Sequence, residues 1–530
     1  MQTEKRILNH LTFLYGEDDA EQIWQQLHSR LEQFHRTNPH KDSLPEDILT
    51  QKDVILITYG DQIRSEGEKP LQTLANFVET YLQDFISTIH LLPLFPYSSD
   101  DGFSVIDYRQ VDPALGSWEH IEKIEACCDL MFDAVINHIS RESAWFQRFR
   151  KGEEPYDEYF ITVDPDTDLS QVVRPRALSL LTSVETERGV RHVWTTFSND
   201  QIDLNFSNPD VMVEIIDLLL FYIEHGAQII RLDAIAYLWK EIGTSCIHLP
   251  QTHHVVKLFR AILDLVAPDV ILITETNVPH EENISYFGEA LDSGTGGEAA
   301  PRGDEAQMVY QFPLAPLVLH TFHVGKARKL TKWAAILEAP FANTTFFNFI
   351  ASHDGIGVRP AEGILTDEEV QALVDRTMAH GGHVSYKTNQ DGSKSVYELN
   401  ITIFDALNDP KKPDHRLDLK RFLASQAIML TLAGVPGIYV HSLFGSRNCH
   451  TCVEETGRAR SINREKFQRQ ALEASLADPE SLGARVYNGY AQLLTIRRQH
   501  QAFHPQGEQQ ILSLGKQVFA VLRTAPDRSE

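Results

Sequence analysis

Cysteine is scarce in this chain: five in 530 residues, at Cys127, Cys128, Cys246, Cys449 and Cys452. So sparse and odd a set excludes a disulfide-built scaffold and fits a reducing compartment. Cys449-His450-Thr451-Cys452 has CxxC spacing, but no second pair completes a four-ligand zinc site and no thioredoxin-like pattern surrounds it. The two are read as thiols in a loop. Positive charge is also short, with 48 Lys and Arg against 74 Asp and Glu. A net charge of -26 excludes nucleic-acid binding through a broad basic surface. No apolar run approaches the length of about 18 residues that a membrane span needs. Met1-Gln2-Thr3-Glu4-Lys5-Arg6 leads into an amphipathic segment with no secretory core, so the expected location is cytoplasmic. No repeat recurs at solenoid periods.

What is present is a series of short apolar runs separated by helical stretches. They are Val54–Tyr59, Ile89–Leu94, Leu130–Ile136, Gln228–Leu232, Val270–Thr274, Met308–Phe312, Thr345–Ile350 and Gly437–Val440. Most are rich in β-branched and aromatic residues, as strands buried on both faces are. Eight such units in succession predict an α/β fold, a (β/α)8 TIM barrel. Residues 1–50, with Leu8, Leu11, Leu14, Ile23, Leu27 and Leu31 at helical spacing, read as a helical N-terminal extension. Residues 51–139 begin the barrel. The stretch 140–205 is too long and proline-interrupted for one helix and reads as an inserted subdomain after strand three. Residues 206–500 complete the barrel, with loops 379–400 and 441–464 on the acceptor side. Two further stretches read as irregular, one around residues 293–297 and one over 379–399 with its glycines. Residues 501–530 read as the start of a short C-terminal β segment.

The run ends carry the chemistry. Arg231 and Asp233 stand two apart at the end of Ile229–Leu232, a spacing that points both side chains the same way in a strand. A guanidinium holds a neighbouring carboxylate ionised, which suits a nucleophile. Polar residues also close other runs: Asp100 and Asp101, Asn137 and His138, Glu275 and Asn277, His353 and Asp354. In a barrel these ends converge on one face. Three carboxylates with flanking histidines and an arginine are what retaining glycosyl transfer needs, a nucleophile and a second carboxyl that donates and later removes a proton. Glu275 follows an apolar strand, and desolvation raises a carboxyl pKa toward that of a proton donor.

These segments resemble the α-amylase superfamily, glycoside hydrolase family 13. The resemblance rests on Asp100–Tyr108 (DDGFSVIDY), Ala134–His138 (AVINH), Arg231-Leu232-Asp233-Ala234, Glu275 and Ser352-His353-Asp354. Within it, Gly243-Thr244-Ser245-Cys246, Arg174-Pro175-Arg176 and Gly457–Arg464 (GRARSINR) resemble the sucrose phosphorylase subgroup, and most of all the glucosylglycerate and glucosylglycerol phosphorylases. The resemblance implies Asp233 as nucleophile, Glu275 as acid/base and Asp354 as transition-state stabiliser. It implies a glucose subsite of Asp100, His138, Arg231, His353 and Arg464, with Tyr237 beside the reacting sugar. Arg176 and Tyr397 would meet phosphate, with Glu398, Arg447 and Arg458 on the acceptor side.

The implied reaction is reversible phosphorolysis of a small α-glucoside to α-glucose 1-phosphate, needing a sugar, inorganic phosphate and no cofactor or metal. Calcium takes about six to eight oxygens, and Asn137, which marks a calcium position in some amylases, has no companion ligand set. Enzymes of the glycerate type carry Asp after Gly-Ser-Arg-Asn and Tyr where Arg458 stands. Here Cys449 follows Asn448. That departure tips the expected acceptor toward glycerol, while a glycerate carboxylate calls for a cation such as Arg458 or Arg447. Sucrose and sucrose 6'-phosphate phosphorylases, an α-glucosidase or transglucosylase, and a non-catalytic binding protein of the same fold are the alternatives. A monomer or a homodimer is expected.

Overall fold

Eight short parallel strands close on themselves in a computed structural model that describes residues 2–38, 48–175, 178–291, 301–388 and 393–530. In chain order they are β1 (Ile55–Thr58), β2 (Thr88–Leu91), β3 (Asp129–Ala134), β4 (Ala227–Leu232), β5 (Ile271–Thr274), β6 (Met308–Tyr310), β7 (Thr345–Asn348) and β8 (Val435–Tyr439). Each pairs with its sequence neighbours, and β1 pairs with β8. The eight apolar runs are these eight strands, shifted or trimmed at their ends. Helices follow the strands on the outside, among them Pro209–Glu224, Pro250–Val266, His415–Thr431 and Leu482–Gln499. Ile230, Leu232, Leu272 and Ile273 are fully buried, and the interior is one continuous apolar core.

The N-terminal residues form two helices, Gln2–Tyr15 and Glu17–Thr37. They bury Ile7, Leu11, Ile23, Leu27 and Leu31, a 3.6-residue stripe that packs on outer barrel helices. Arg6 pairs with Asp264 at 2.9 Å, and Arg30 with Asp217 at 2.5 Å and Glu224 at 3.1 Å. Between β3 and β4 the chain makes an excursion with its own hairpin, Leu181–Thr186 against Gly189–Trp194. A small cluster of Val163, Val172, Leu180, Trp194 and Cys246 stabilises it.

Three expectations change. The stretch 379–399, read as irregular, is mostly a hairpin, His383–Thr388 against Lys394–Asn400, with Ile356–Gly357 as a third strand. Its glycines, at 381, 382 and 392, flank the strands and do not interrupt them, and the polar strands hid the pairing. Cys449 and Cys452 are bonded to each other, not loop thiols. Cys449 caps the helix His450–Thr456, and that first turn brings the two Cα atoms to 5.3 Å, within disulfide reach. The two C-terminal strands, expected from the pattern at Gln510–Leu514 and Gln517–Leu522, lie at Glu508–Leu512 and Ala520–Thr524 as an antiparallel pair. The loop read around 293–297 lies outside the described residues.

Candidate active site

The site starts from a lateral pair of residues on β3 and β4. Asp133 is in register with Arg231. Paired residues of parallel strands point to the same face, here the barrel interior. Asp133 forms an ion pair with Arg231 and a 2.8 Å contact with His90. Held from one side by Asp133 and from another by the Tyr310 hydroxyl at 3.0 Å, Arg231 presents its guanidinium to the strand ends. Its Nη1 donates to Asp233 Oδ1 at 2.7 Å, and its Nη2 lies 3.8 Å from Glu275 Oε2. The Ala234 amide also donates to Glu275 Oε2 at 3.1 Å. Ala234 has φ of 50°, so the chain turns sharply just past Asp233 and aims that amide at the carboxyl. Two carboxylates from adjacent strands therefore share one guanidinium.

Asp354 enters from the loop after β7. Arg460 Nη1 contacts Asp354 Oδ1 at 2.5 Å, Arg464 Nη2 lies at 3.7 Å, and His353 Nε2 at 3.5 Å from Oδ2. Arg460 also grips Glu398, with Nε donating at 3.1 Å and Nη2 at 2.5 Å, a two-point pairing. Arg464 reaches Asp101, and its Nε donates to the His353 carbonyl at 2.7 Å. His353 stacks on Phe103 with ring centres 4.9 Å apart and ring planes nearly parallel. His138 lies close to the Phe103 carbonyl, Nε2 at 2.9 Å, and to Gln201 at 3.1 Å. Gln201 also approaches Asp100 at 3.4 Å.

Burial and charge sort the three carboxyls. Burial, reinforced by Asp233 and Asp354, raises Glu275 to about 7 against the pull of Arg231. Burial also raises Asp233, with Arg231 the strongest opposing influence. For Asp354 burial is outweighed by Arg460, His353, Arg464 and Arg231, which hold it well below the usual carboxylate range. His353 is pushed down to about 3, chiefly by burial, so the imidazole is neutral at physiological pH. His138 is lowered by burial too.

The structure thus gathers Asp233, Glu275 and Arg231 in one set of contacts and Asp354, His353 and Arg464 in a second; Arg231 and His353 both meet the Phe103 ring, and His138 and Asp100 lie at the edge through Gln201. Tyr237 and Tyr397 line a cavity with Glu275. Glu398 is engaged by Arg460. Arg458 is half exposed and pairs with Asp101 at 3.2 Å. Arg447 pairs with Asp405 at 2.5 Å and lies over Phe404, so its charge is met outside both sets. Arg176 lies outside the described residues. Sequence reasoning missed Asp133, His90 and Arg460. Asp133 was visible as a lone acid inside an apolar strand, and Arg460 stood inside the quoted GRARSINR segment.

Near Asn137 the Lys240 ammonium donates to Asn137 Oδ1 at 2.8 Å and pairs with Asp203 at 2.7 Å. Among the described residues no group of three or more histidine, cysteine or acidic side chains is arranged to hold a metal ion. Among the same residues no helix is long and apolar enough to cross a membrane.

The fold of this chain is shared with known proteins. The alpha-amylase catalytic domain model matches residues 78–355, and the chain belongs to that family. A glucosylglycerate phosphorylase of Allomeiothermus silvanus is 51% identical over 99% of this chain and 91% of its own length. One of Spirochaeta thermophila is 48% identical, over 100% and 88%. The crystal structure of sucrose 6F-phosphate phosphorylase from Thermoanaerobacter thermosaccharolyticum superposes with a TM-score of 0.76 at 26% identity, covering 90% of this chain and 92% of that one. Identity of this extent over the whole chain makes the protein a glycosyltransferase of the phosphorylase type.

Proposed function

We propose that the protein catalyses the reversible phosphorolysis of glucosylglycerate, with retention of configuration, through a glucosyl-enzyme. In the first displacement an Asp233 carboxylate oxygen attacks the anomeric carbon. The bond to the aglycone oxygen breaks, and Glu275 gives that oxygen its proton. In the second a phosphate oxygen attacks the same carbon, the ester to Asp233 breaks, and Glu275 takes the proton from the incoming hydrogen phosphate. Asp354, kept ionised by its arginines, faces the positive charge that develops on the sugar ring. Asp100, His138, Arg231, His353 and Arg464 hold the glucose, and Arg176 with Tyr397 receives phosphate.

The observation that carries this reading is the shared Arg231 guanidinium. It touches Asp233 at 2.7 Å and lies 3.8 Å from Glu275, the carboxyl that burial raises to about 7, which supports the division of labour between the two. The choice of glycerate over glycerol draws on the two relatives of that name and on the positive lining beside Glu275. The test is incubation with α-glucose 1-phosphate and, separately, glycerate, glycerol, fructose and fructose 6-phosphate, following phosphate release. Release with glycerate well above the rest is expected. Release that is equal with and without any acceptor would make the protein a hydrolase, and preference for glycerol would replace the substrate.

A further inference from the structure

Cations of the site just described are neutralised. Arg231, Arg460, Arg464 and Arg458 each pair with a carboxylate. Beside Glu275 the situation differs. A cavity of about 120 Å3 is lined by Glu275, Tyr237, Asn277, Arg174, Arg359 and Lys387, among others. The three cations come from three separate segments: the excursion, the turn after β7 and the hairpin strand His383–Thr388. Glu275 is the single carboxylate in the described lining. No described carboxylate lies within ion-pair distance of Arg359 or Lys387, and both are half-buried.

Like charges brought together out of bulk water repel, and such an arrangement is stable in use when an anion sits between them. The repulsion is felt. After burial, Arg359 is the leading influence lowering the Lys387 pKa, with Glu362 opposing. Arg359 also acts on the Tyr237 phenol, which burial raises to about 12. Asn277 Oδ1 is buried there without a hydrogen-bond partner, an acceptor waiting for a hydroxyl. A small acid bearing both a carboxylate and hydroxyls matches this lining, and a neutral polyol matches only half of it.

We infer that Arg359 and Lys387 form the acceptor carboxylate pocket, holding glycerate with its reacting hydroxyl toward Glu275. They, and not Arg447 or Arg458, set the preference for an acidic acceptor. The inference rests on the phosphorylase reading for its substrate, and its test is independent of turnover. Glycerate binding to the full-length protein is measured by calorimetry for the wild type, Arg359→Gln, Lys387→Met and Lys387→Arg, with inorganic phosphate as a parallel titrant and thermal melts to confirm folding.

The first two variants should bind glycerate at least about tenfold more weakly, the size expected for losing a charge-assisted contact. Lys387→Arg should recover most of that affinity. Weakening toward phosphate alone would assign the cations to phosphate and overturn the inference, as would unchanged glycerate affinity in folded variants. A wild type that binds glycerate but releases no phosphate from glucose 1-phosphate would sink the phosphorylase reading and leave the pocket standing. Where turnover is seen, the ratio of kcat/KM for glycerate over glycerol should fall in both charge-removing variants.

Discussion

In the proposed mechanism Glu275 has two jobs that ask for opposite protonation states, and its surroundings place its pKa between them. Burial and the charges of Asp233 and Asp354 hold its proton up to about 7, while Arg231 keeps the pKa from rising further. A proton donor with a raised pKa is loaded below that value and empty above it. The rate of glucoside cleavage should therefore fall as pH rises through about 7, read as kcat/KM against pH. Glu275→Gln should cut cleavage by about 10²–10⁴-fold and abolish that alkaline limb. A limb that persists in the variant would assign the titration to another group. The place of Glu275 in the site was legible in the sequence, because an acid directly after Ile271–Thr274 has few structural uses. Asp133 was not singled out, because one acid within a strand looks the same whether it faces the interior or a helix.

At the level of elements, the pairing of β3 with β4 bears the electrostatic weight of the site. Asp133 and Arg231 are both essentially fully buried, so removing one leaves the other as an uncompensated charge in low dielectric. Asp133→Ala should lower unfolding stability by about 3–5 kcal/mol, measured in denaturant, and should weaken activity by releasing Arg231 from its orientation. Asp133→Asn, which keeps the hydrogen bond and drops the charge, should lose less. Equal stability of Asp133→Ala and wild type would show that Arg231 finds another partner. The strands themselves were readable because parallel strands covered on both faces are unbroken apolar runs. The hairpin 383–400 was not, since its strands, HVSYKT and KSVYELN, mix polar and apolar residues and carry no such run. That Arg359 and Lys387 line one cavity was equally hidden, because it depends on how the hairpin packs beside the turn after β7 and not on any local pattern.

For the whole molecule, the order of strands was enough to predict closure and to place five polar clusters on one face. What it could not supply was how the excursion between β3 and β4 is fastened to that face. Lys240 does part of this. Its side chain, almost wholly buried, links Asp203 at the end of the excursion with Asn137 at the end of β3. Lys240→Met should leave Asp203 as an unmatched buried charge and lower the melting temperature, whereas a chelator should leave the wild-type melting temperature unchanged. A drop with chelator would mean that a divalent ion contributes at this junction after all. A tethered ammonium cannot be washed out, exchanged or outcompeted. Fastened in this way, the rim of the barrel is expected to hold its shape whatever the mineral content of its surroundings.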